Sequence, residues 1–200
     1  MTLQREGRHI NHKKVYRLYS QLGLALRSKR SRRHRSAHAR QPRVMAQAID
    51  EAWSMDFVSD ALFDGRRLRT LTVMDNYTRE CLATRADASI RGEHVVEVMR
   101  SLCAQPGAPV CISVDNGPEF ISKVLDKWAC EHKVSLNFSR PGKPTDNAYI
   151  ESFNGRFREE CLNANGYLSP GDARNNIEAW RRDYDEVRSH SALDWLTPSE

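Results

Sequence analysis

The pattern of apolar and polar positions divides the chain near residue 48. Downstream of that point, residues 52–59, 68–76 and 81–86 are runs rich in β-branched, aromatic and other strand-forming side chains, separated by turn residues. Asp64-Gly65 between the first two is a hairpin signal and predicts that they pair antiparallel. Residues 90–102 carry Val95, Val98, Met99 and Leu102 at helical spacing. A Pro106–Pro109 break then leads into residues 110–115, a continuous apolar run ending in an acid, as expected of a strand buried on both faces. Residues 121–134 read as an amphipathic helix with Ile121, Val124, Leu125 and Trp128 on one side, followed by a short strand at 135–139. A helix is expected from about Ala148 to Leu162. Another is expected over 172–188, with Ile177, Trp180, Tyr184 and Val187 as its stripe. The order of three β segments, helix, strand, helix, strand and two helices makes this an α/β chain, and no internal repeat is present.

Upstream the texture differs. Residues 11–22 predict a short helix capped by Asn11, striped by Val15, Leu18 and Leu22, and ended by Gly23. One such helix cannot bury its stripe alone, so it reads as part of a small helical unit. The stretch that follows is dense in Lys and Arg, has no acid and almost no large apolar residue, and reads as an arm that does not fold by itself. The expected division is 1–26, partial helical domain; 27–47, basic linker; 48–200, the main domain with a helical tail. Charge sharpens this division. Thirteen Lys and Arg face one acid in residues 1–48, which leaves eighteen basic against twenty-five acidic residues in the remainder. A basic arm attracts phosphates, while the body concentrates carboxylates for another purpose.

Composition excludes several classes. At 40% hydrophobic and 28% charged the chain reads as a globular protein. No apolar run approaches the ~18 residues of a membrane span, and the N-terminus lacks a signal-peptide core, so a cytoplasmic location without membrane association is expected. The five cysteines are scattered and form no Cys-x-x-Cys pair, which argues against a disulfide framework and a zinc site. His34 and His38 lack paired cysteines downstream and are assigned to the basic arm.

Three acids carry the candidate chemistry. Asp56 lies inside the first strand among Trp53, Met55, Phe57 and Val58, where a carboxylate is costly unless paired, protonated or metal-bound. Asp115 ends the fourth strand within Ser-Val-Asp-Asn-Gly-Pro-Glu-Phe, at a sharp turn and at the kind of strand end where functional side chains emerge. Glu151 falls early in the helix after Pro144-Thr145-Asp146-Asn147, with Asp146 or Asn147 as its cap. Ile150, Phe153, Phe157 and Cys161 form that helix's buried stripe, beside a polar stripe of Glu151, Asn154 and Arg158. Taken singly, each acid also has a structural reading: a satisfied strand Asp, a turn opener, a first-turn acid on the helix dipole. Asp75, also on a strand, is assigned to turn chemistry with Asn76, and Asn116 and Glu119 to orienting the turn after Asp115.

Trp-Ser-Met-Asp-Phe, Val-Asp-Asn-Gly-Pro-Glu-Phe and Asp-Asn-Ala-Tyr-Ile-Glu-Ser-Phe-Asn-Gly together resemble the retroviral-integrase-like transposases of bacterial insertion sequences, specifically the second-reading-frame catalytic subunit. Thirty-five residues separate Asp115 from Glu151. Met-Asp-Asn-Tyr-Thr-Arg-Glu resembles the family's second strand, Tyr184 with Arg188-Ser-His-Ser-Ala-Leu-Asp-Trp-Leu-Thr-Pro its tail, and the segment from Asn11 the helical domain ahead of the core. The resemblance implies a ribonuclease-H-like mixed five-stranded sheet flanked by helices, preceded by a partial small helical domain. It places the catalytic and metal-binding acids at Asp56, Asp115 and Glu151. Against the family pattern the chain begins inside the helical domain and stops early at Pro198-Ser199-Glu200.

Gathered carboxylates repel one another without cations and suit hard divalent ions with oxygen ligands, Mg²⁺ or Mn²⁺. By resemblance two ions are expected, with Asp56 bridging them and Asp115 and Glu151 each completing one, for cleavage and strand transfer at the element's ends. Asn154 and Arg158 are the expected phosphate contacts near the metals. Lys29, Arg30, Arg32, Arg33 and Arg35 of the arm are expected to bind double-stranded DNA through its backbone. A homo-oligomer on DNA, and a first-reading-frame protein or fusion, are the expected partners. Two rival readings stand beside this one: a ribonuclease-H-like nuclease that only hydrolyses, and a truncated, catalytically idle DNA-binding relic.

Overall fold

The computed structural model describes residues 7, 11–24, 46–104, 107–140 and 147–200. It divides into two compact units, Met1–Pro42 and Arg43–Glu200. In the first, helix α1 (His12–Gln21) starts where Asn11 accepts a hydrogen bond from the Lys13 amide at 2.9 Å and ends ahead of Gly23, whose φ of +68° suits a helix stop. Leu18 and Leu22 of its stripe are exposed, and α1 buries no residue among those described.

The second unit is built on a five-stranded sheet in the order β3-β2-β1-β4-β5. Strands β1 (Ala52–Ala61), β2 (Arg67–Asp75) and β3 (Cys81–Asp87) form an antiparallel meander, and β4 (Cys111–Val114) and β5 (Ser135–Phe138) continue it in parallel. The sheet is therefore mixed, as the resemblance implied. The Asp64-Gly65 turn sets the register: Gly65 takes φ +83°, and the Asp64 carboxylate accepts from the Arg66 amide at 3.0 Å. With the hairpin closed there, Asp56 falls opposite Thr72.

Alternation then divides β1 between two cores. Trp53, Met55 and the half-buried Phe57 join Leu71, Val73, Ile112 and Val114 under α2 (Gly92–Leu102) and α3 (Lys123–His132). Val58, with Leu68 and Met74, faces α4 (Ala148–Phe157) and α5 (Pro170–Glu186) on the other side. There Phe153, Phe157, Trp180 and Tyr184 interlock at ring separations of 4.9–6.2 Å, which locks α4 to α5.

Some sequence expectations shift. Of the expected α3 stripe, Leu125 and Trp128 are buried, while Val124 lies exposed and Ile121, exposed too, falls outside the helix that Ser122 caps. Helix α5 starts two residues early, capped by Ser169, and ends at Glu186, so Val187 is exposed rather than part of the stripe. The expected helix over 148–162 is α-helical only to Phe157 and finishes as one π-helical turn, Arg158–Leu162, with the Asn163 amide reaching the Arg158 carbonyl at 2.8 Å.

The tail closes over Tyr184. Buried His190 meets its ring edge-on at 4.8 Å. Burial, with the Arg156 and Arg188 cations nearby, lowers its imidazole from 6.5 to about 4. A histidine depressed in the folded state leaves stability untouched above pH 6.5 and reduces it as pH falls from there toward 4, where the unfolded chain takes up the proton first. Asp185, raised by burial to about 7, acts oppositely over the same range. Comparison with His190→Gln isolates the histidine. Thermal melts from pH 7 to 4 should show wild type losing on the order of 2 kcal/mol relative to the variant, and parallel curves would exclude this account.

Candidate active site

Three segments far apart in sequence converge on the α4 face of the sheet. β1 contributes Asp56, which shares that face with Val58 and with its cross-strand neighbour Thr72. β4 pairs with β1 in the register Ala52–Cys111, Trp53–Ile112, Ser54–Ser113. Extending that register two residues brings Asp115, just beyond the strand, level with Asp56 on the same face. Helix α4 crosses this face with Ile150 and Phe153 buried beneath it, and carries Glu151 on its first turn.

Asp56 is the best-held member. One carboxylate oxygen accepts from the Phe57 amide at 2.7 Å and the other from the Asn154 side-chain amide at 2.9 Å. Asn154 is fixed in turn by Thr72, whose hydroxyl lies 2.9 Å from its carbonyl oxygen and 3.2 Å from the Asp56 backbone carbonyl. The Asn147 side chain occupies the N-cap position of α4 but does not cap it. It donates instead to the Met55 carbonyl at 3.2 Å, tying the helix start to β1 beside Asp56. Asp115 accepts from the Gly117 amide at 2.9 Å, and Asn116 anchors the turn to the Ser139 carbonyl at 2.7 Å. A Cβ at Gly117 would stand 2.9 Å from the Asp115 carboxylate and 3.3 Å from that of Glu119, so no larger residue leaves this turn undisturbed.

The electrostatics identify the same group. Burial raises the Asp56 carboxyl above its ordinary value, and the negative charges of Asp115 and Glu151 raise it further, against the hydrogen bonds from Phe57 and Asn154. Glu151 is exposed and makes no hydrogen bond or ion pair among the described residues. Among the described residues no three acidic, histidine or cysteine side chains stand close enough to hold a metal ion as placed. The donor set is nonetheless all oxygen and charge-repelled, which is the chemistry that suits a hard divalent cation and not a soft one.

Other sequence candidates fall elsewhere. Asn154, expected to face DNA, is buried, and its amide is taken up by Asp56 and Thr72, because the 3-residue step from Glu151 turns it under the helix. Exposed Arg158 donates to the Ser59 carbonyl at 3.2 Å, further along β1. Glu119 is paired with Arg69. Buried Asp75 does organise a turn, accepting from the Tyr77 and Thr78 amides at 2.7 and 2.8 Å. Lys29, Arg30, Arg32, Arg33 and Arg35, with His34 and His38, lie outside the described residues. Sequence reading missed Thr72, although closing the hairpin at Asp64-Gly65 was enough to set it opposite Asp56. Asn147 was read only as a cap. No periodicity could have pointed to its bond with Met55, which joins residues 92 apart.

Comparisons with known proteins bear on the fold and the family. The family model described as the integrase core domain matches residues 46–144, and a second model of the same description matches 132–198. The 31.7 kDa protein of insertion element IS407 from Burkholderia multivorans is 46% identical over 99% of this chain and 71% of its own length. The 39.2 kDa protein of insertion element IS476 from Xanthomonas euvesicatoria is 41% identical over 99% of this chain but 57% of its own length. The HTLV-2 integrase catalytic core domain, solved in complex with magnesium, shares the fold with a TM-score of 0.57 at 13% identity, covering 75% of this chain and 94% of that one.

Carboxyl-carbon NMR of the metal-free protein gives a direct check. The Asp56 carboxyl should titrate above its ordinary value, higher still in Asn154→Leu, and lower in Asp115→Asn where a neighbouring charge is removed. A titration indifferent to both substitutions would contradict the arrangement.

Proposed function

The chain belongs to the integrase-core family of insertion-sequence transposases, and from that premise we propose that Asp56, Asp115 and Glu151 are its catalytic acids, acting on DNA phosphodiesters with a divalent metal. The observation that carries the reading is the convergence on Asp56: its carboxylate is aimed by Asn154 into the fields of Asp115 and Glu151. Mg²⁺ or Mn²⁺, two ions by the chemistry of the reaction, would be held by these three acids and would supply charge neutralisation at the attacking and leaving oxygens.

Phosphodiester exchange is mainly a matter of alignment and charge. Water attacking phosphorus at an element end breaks one P–O bond and frees a 3′-hydroxyl, and that hydroxyl attacking a second phosphodiester forms one bond for each it breaks. No covalent nucleophile of the protein is needed. The chain's own task is to hold Asp56 ionised and aimed, through Asn154, Thr72 and the Phe57 amide, and to keep Asp115 at the lip of its turn through Gly117. Glu151, exposed on α4, is the member left free to meet an incoming metal. We assign residues 1–26 and the basic segment 27–47 to DNA attachment and 48–200 to catalysis. Action in the bacterial cytosol, as a homo-oligomer on double-stranded DNA and with a first-reading-frame protein or fusion, completes the proposal. The chain spans 71% and 57% of the lengths of the two insertion-element relatives.

The test uses purified protein, labelled duplex carrying the element's ends, and Mg²⁺. Joining of an end into new DNA is expected, with Asp56→Asn, Asp115→Asn and Glu151→Gln each reducing it at least about a hundredfold while duplex binding persists. Cleavage without joining would instead identify a hydrolytic nuclease. Binding alone, unaltered by Asp115→Asn, would sink the catalytic reading.

A further inference from the structure

Immediately beyond the Asp115 turn lies a cavity of about 310 Å³ walled by Arg67, Arg69, Arg91, Gly92, Pro118 and Glu119. Its cations come from two places that the fold brings together. Arg67 and Arg69 stand at the hairpin end of β2, on the face opposite Asp56, while Arg91 is the N-cap residue of α2. They differ in what they are free to do. The Arg69 guanidinium is paired with Glu119 and stacked 4.3 Å over the Phe57 ring, so its charge is matched. Arg67 and Arg91 are exposed, and neither meets a carboxylate among the described residues. The amino end of α2 adds its own positive pole. Gly92 is buried there because a Cβ would run into the Ser122 side chain and crowd the Glu119 carbonyl, which keeps the helix start pressed against the cavity wall. Glu119 supplies one more feature: its second carboxylate oxygen is buried and receives no hydrogen bond.

The cavity adjoins the acidic centre through a single residue. The Asp115 and Glu119 carboxylates both crowd the position a Cβ on Gly117 would take. A DNA strand carries a phosphate every ~3.4 Å along its axis, so a strand laid over the Asp115 turn brings a neighbouring phosphate to Pro118 and the cavity mouth. We propose that this cavity is a phosphodiester subsite, in which Arg67, Arg91 and the amino end of α2 hold a DNA phosphate about one or two nucleotides from the acidic centre. The proposal rests on the DNA-cutting reading above and adds the group that fixes the strand's path. Two unmatched cations here also offset the repulsion that the three acids exert on the same strand.

The test uses the full chain with Arg67 and Arg91 both changed to Gln, both changed to Glu, and, as a control, exposed Arg100→Gln on α2. Binding of a fluorescent 30-base-pair duplex without divalent metal is followed from 50 to 300 mM salt by anisotropy, for an element-end duplex and for one of unrelated sequence. The Gln pair should bind about tenfold more weakly at 0.1 M salt and flatten the slope of log affinity against log salt by about 0.9, the loss of one neutralised phosphate. The Glu pair should weaken binding further, and Arg100→Gln should do neither. If only one duplex responds, the strand held is identified as element end or target. Duplexes with a single neutral methylphosphonate linkage should reveal one position that costs wild type affinity and costs the Gln pair nothing. Equal slopes and affinities in wild type and both pairs, with thermal melts showing all folded, would overturn the subsite. That failure is separable from failure of the catalytic reading: joining activity lost only in the acid variants leaves catalysis standing without the subsite. Arginine-dependent binding in a protein that never cleaves would leave the subsite standing without catalysis.

Discussion

A carboxylate on the central part of a sheet has to be held by something, and in this protein the holding groups are the Phe57 amide and one asparagine side chain. Burial and two like charges push the Asp56 carboxyl toward its neutral form, and the hydrogen bonds from Asn154 and the Phe57 amide push it back. Asn154 can serve because Thr72 fixes its other end, and Thr72 can serve because the hairpin register sets it across from Asp56. Strand register, helix docking and the ionisation of one side chain thus form a single chain of dependence.

The rest of the second unit is arranged to keep that contact. Helix α4 must lie at a fixed height over β1, and the interlocked rings of Phe153, Phe157, Trp180 and Tyr184 hold it there from the far side. Asn147 ties the helix start to the Met55 carbonyl. The parallel β1–β4 pairing brings the Asp115 turn level with Asp56, and Gly117 leaves room for two carboxylates around one residue. The π-helical turn at Arg158–Leu162 leaves the Arg158 guanidinium on the Ser59 carbonyl, apart from the acids.

Charge is distributed with the same economy. The acids gather on one sheet face, and unmatched arginines gather on the other side of the same turn, around α2's amino end. Phosphoryl transfer asks for this kind of division, since the reacting phosphate needs cations while the strand that carries it needs anchoring away from the carboxylates. The fold shared with a retroviral integrase core at 13% identity survives although most side chains differ.

Much of this was legible along the chain. Alternation along β1, the Asp64-Gly65 turn and the acid ending β4 were enough to place Asp56 and Asp115 on the correct elements, because strand period and turn chemistry are local properties. The three motifs around Asp56, Asp115 and Glu151 were enough for the family. Local pattern says which residues share a face and is silent on what covers that face. Asn154 therefore reads as a polar surface residue although β1 and β2 lie beneath it, and Ile121, Val124 and Val187 read as core although they lie exposed. The meeting of Arg67 and Arg69 with Arg91 and Glu119 belongs wholly to tertiary structure. It depends on α2 folding back beside the end of β2 and the Asp115 turn, a long-range packing choice made by the apolar core and recorded in no short segment.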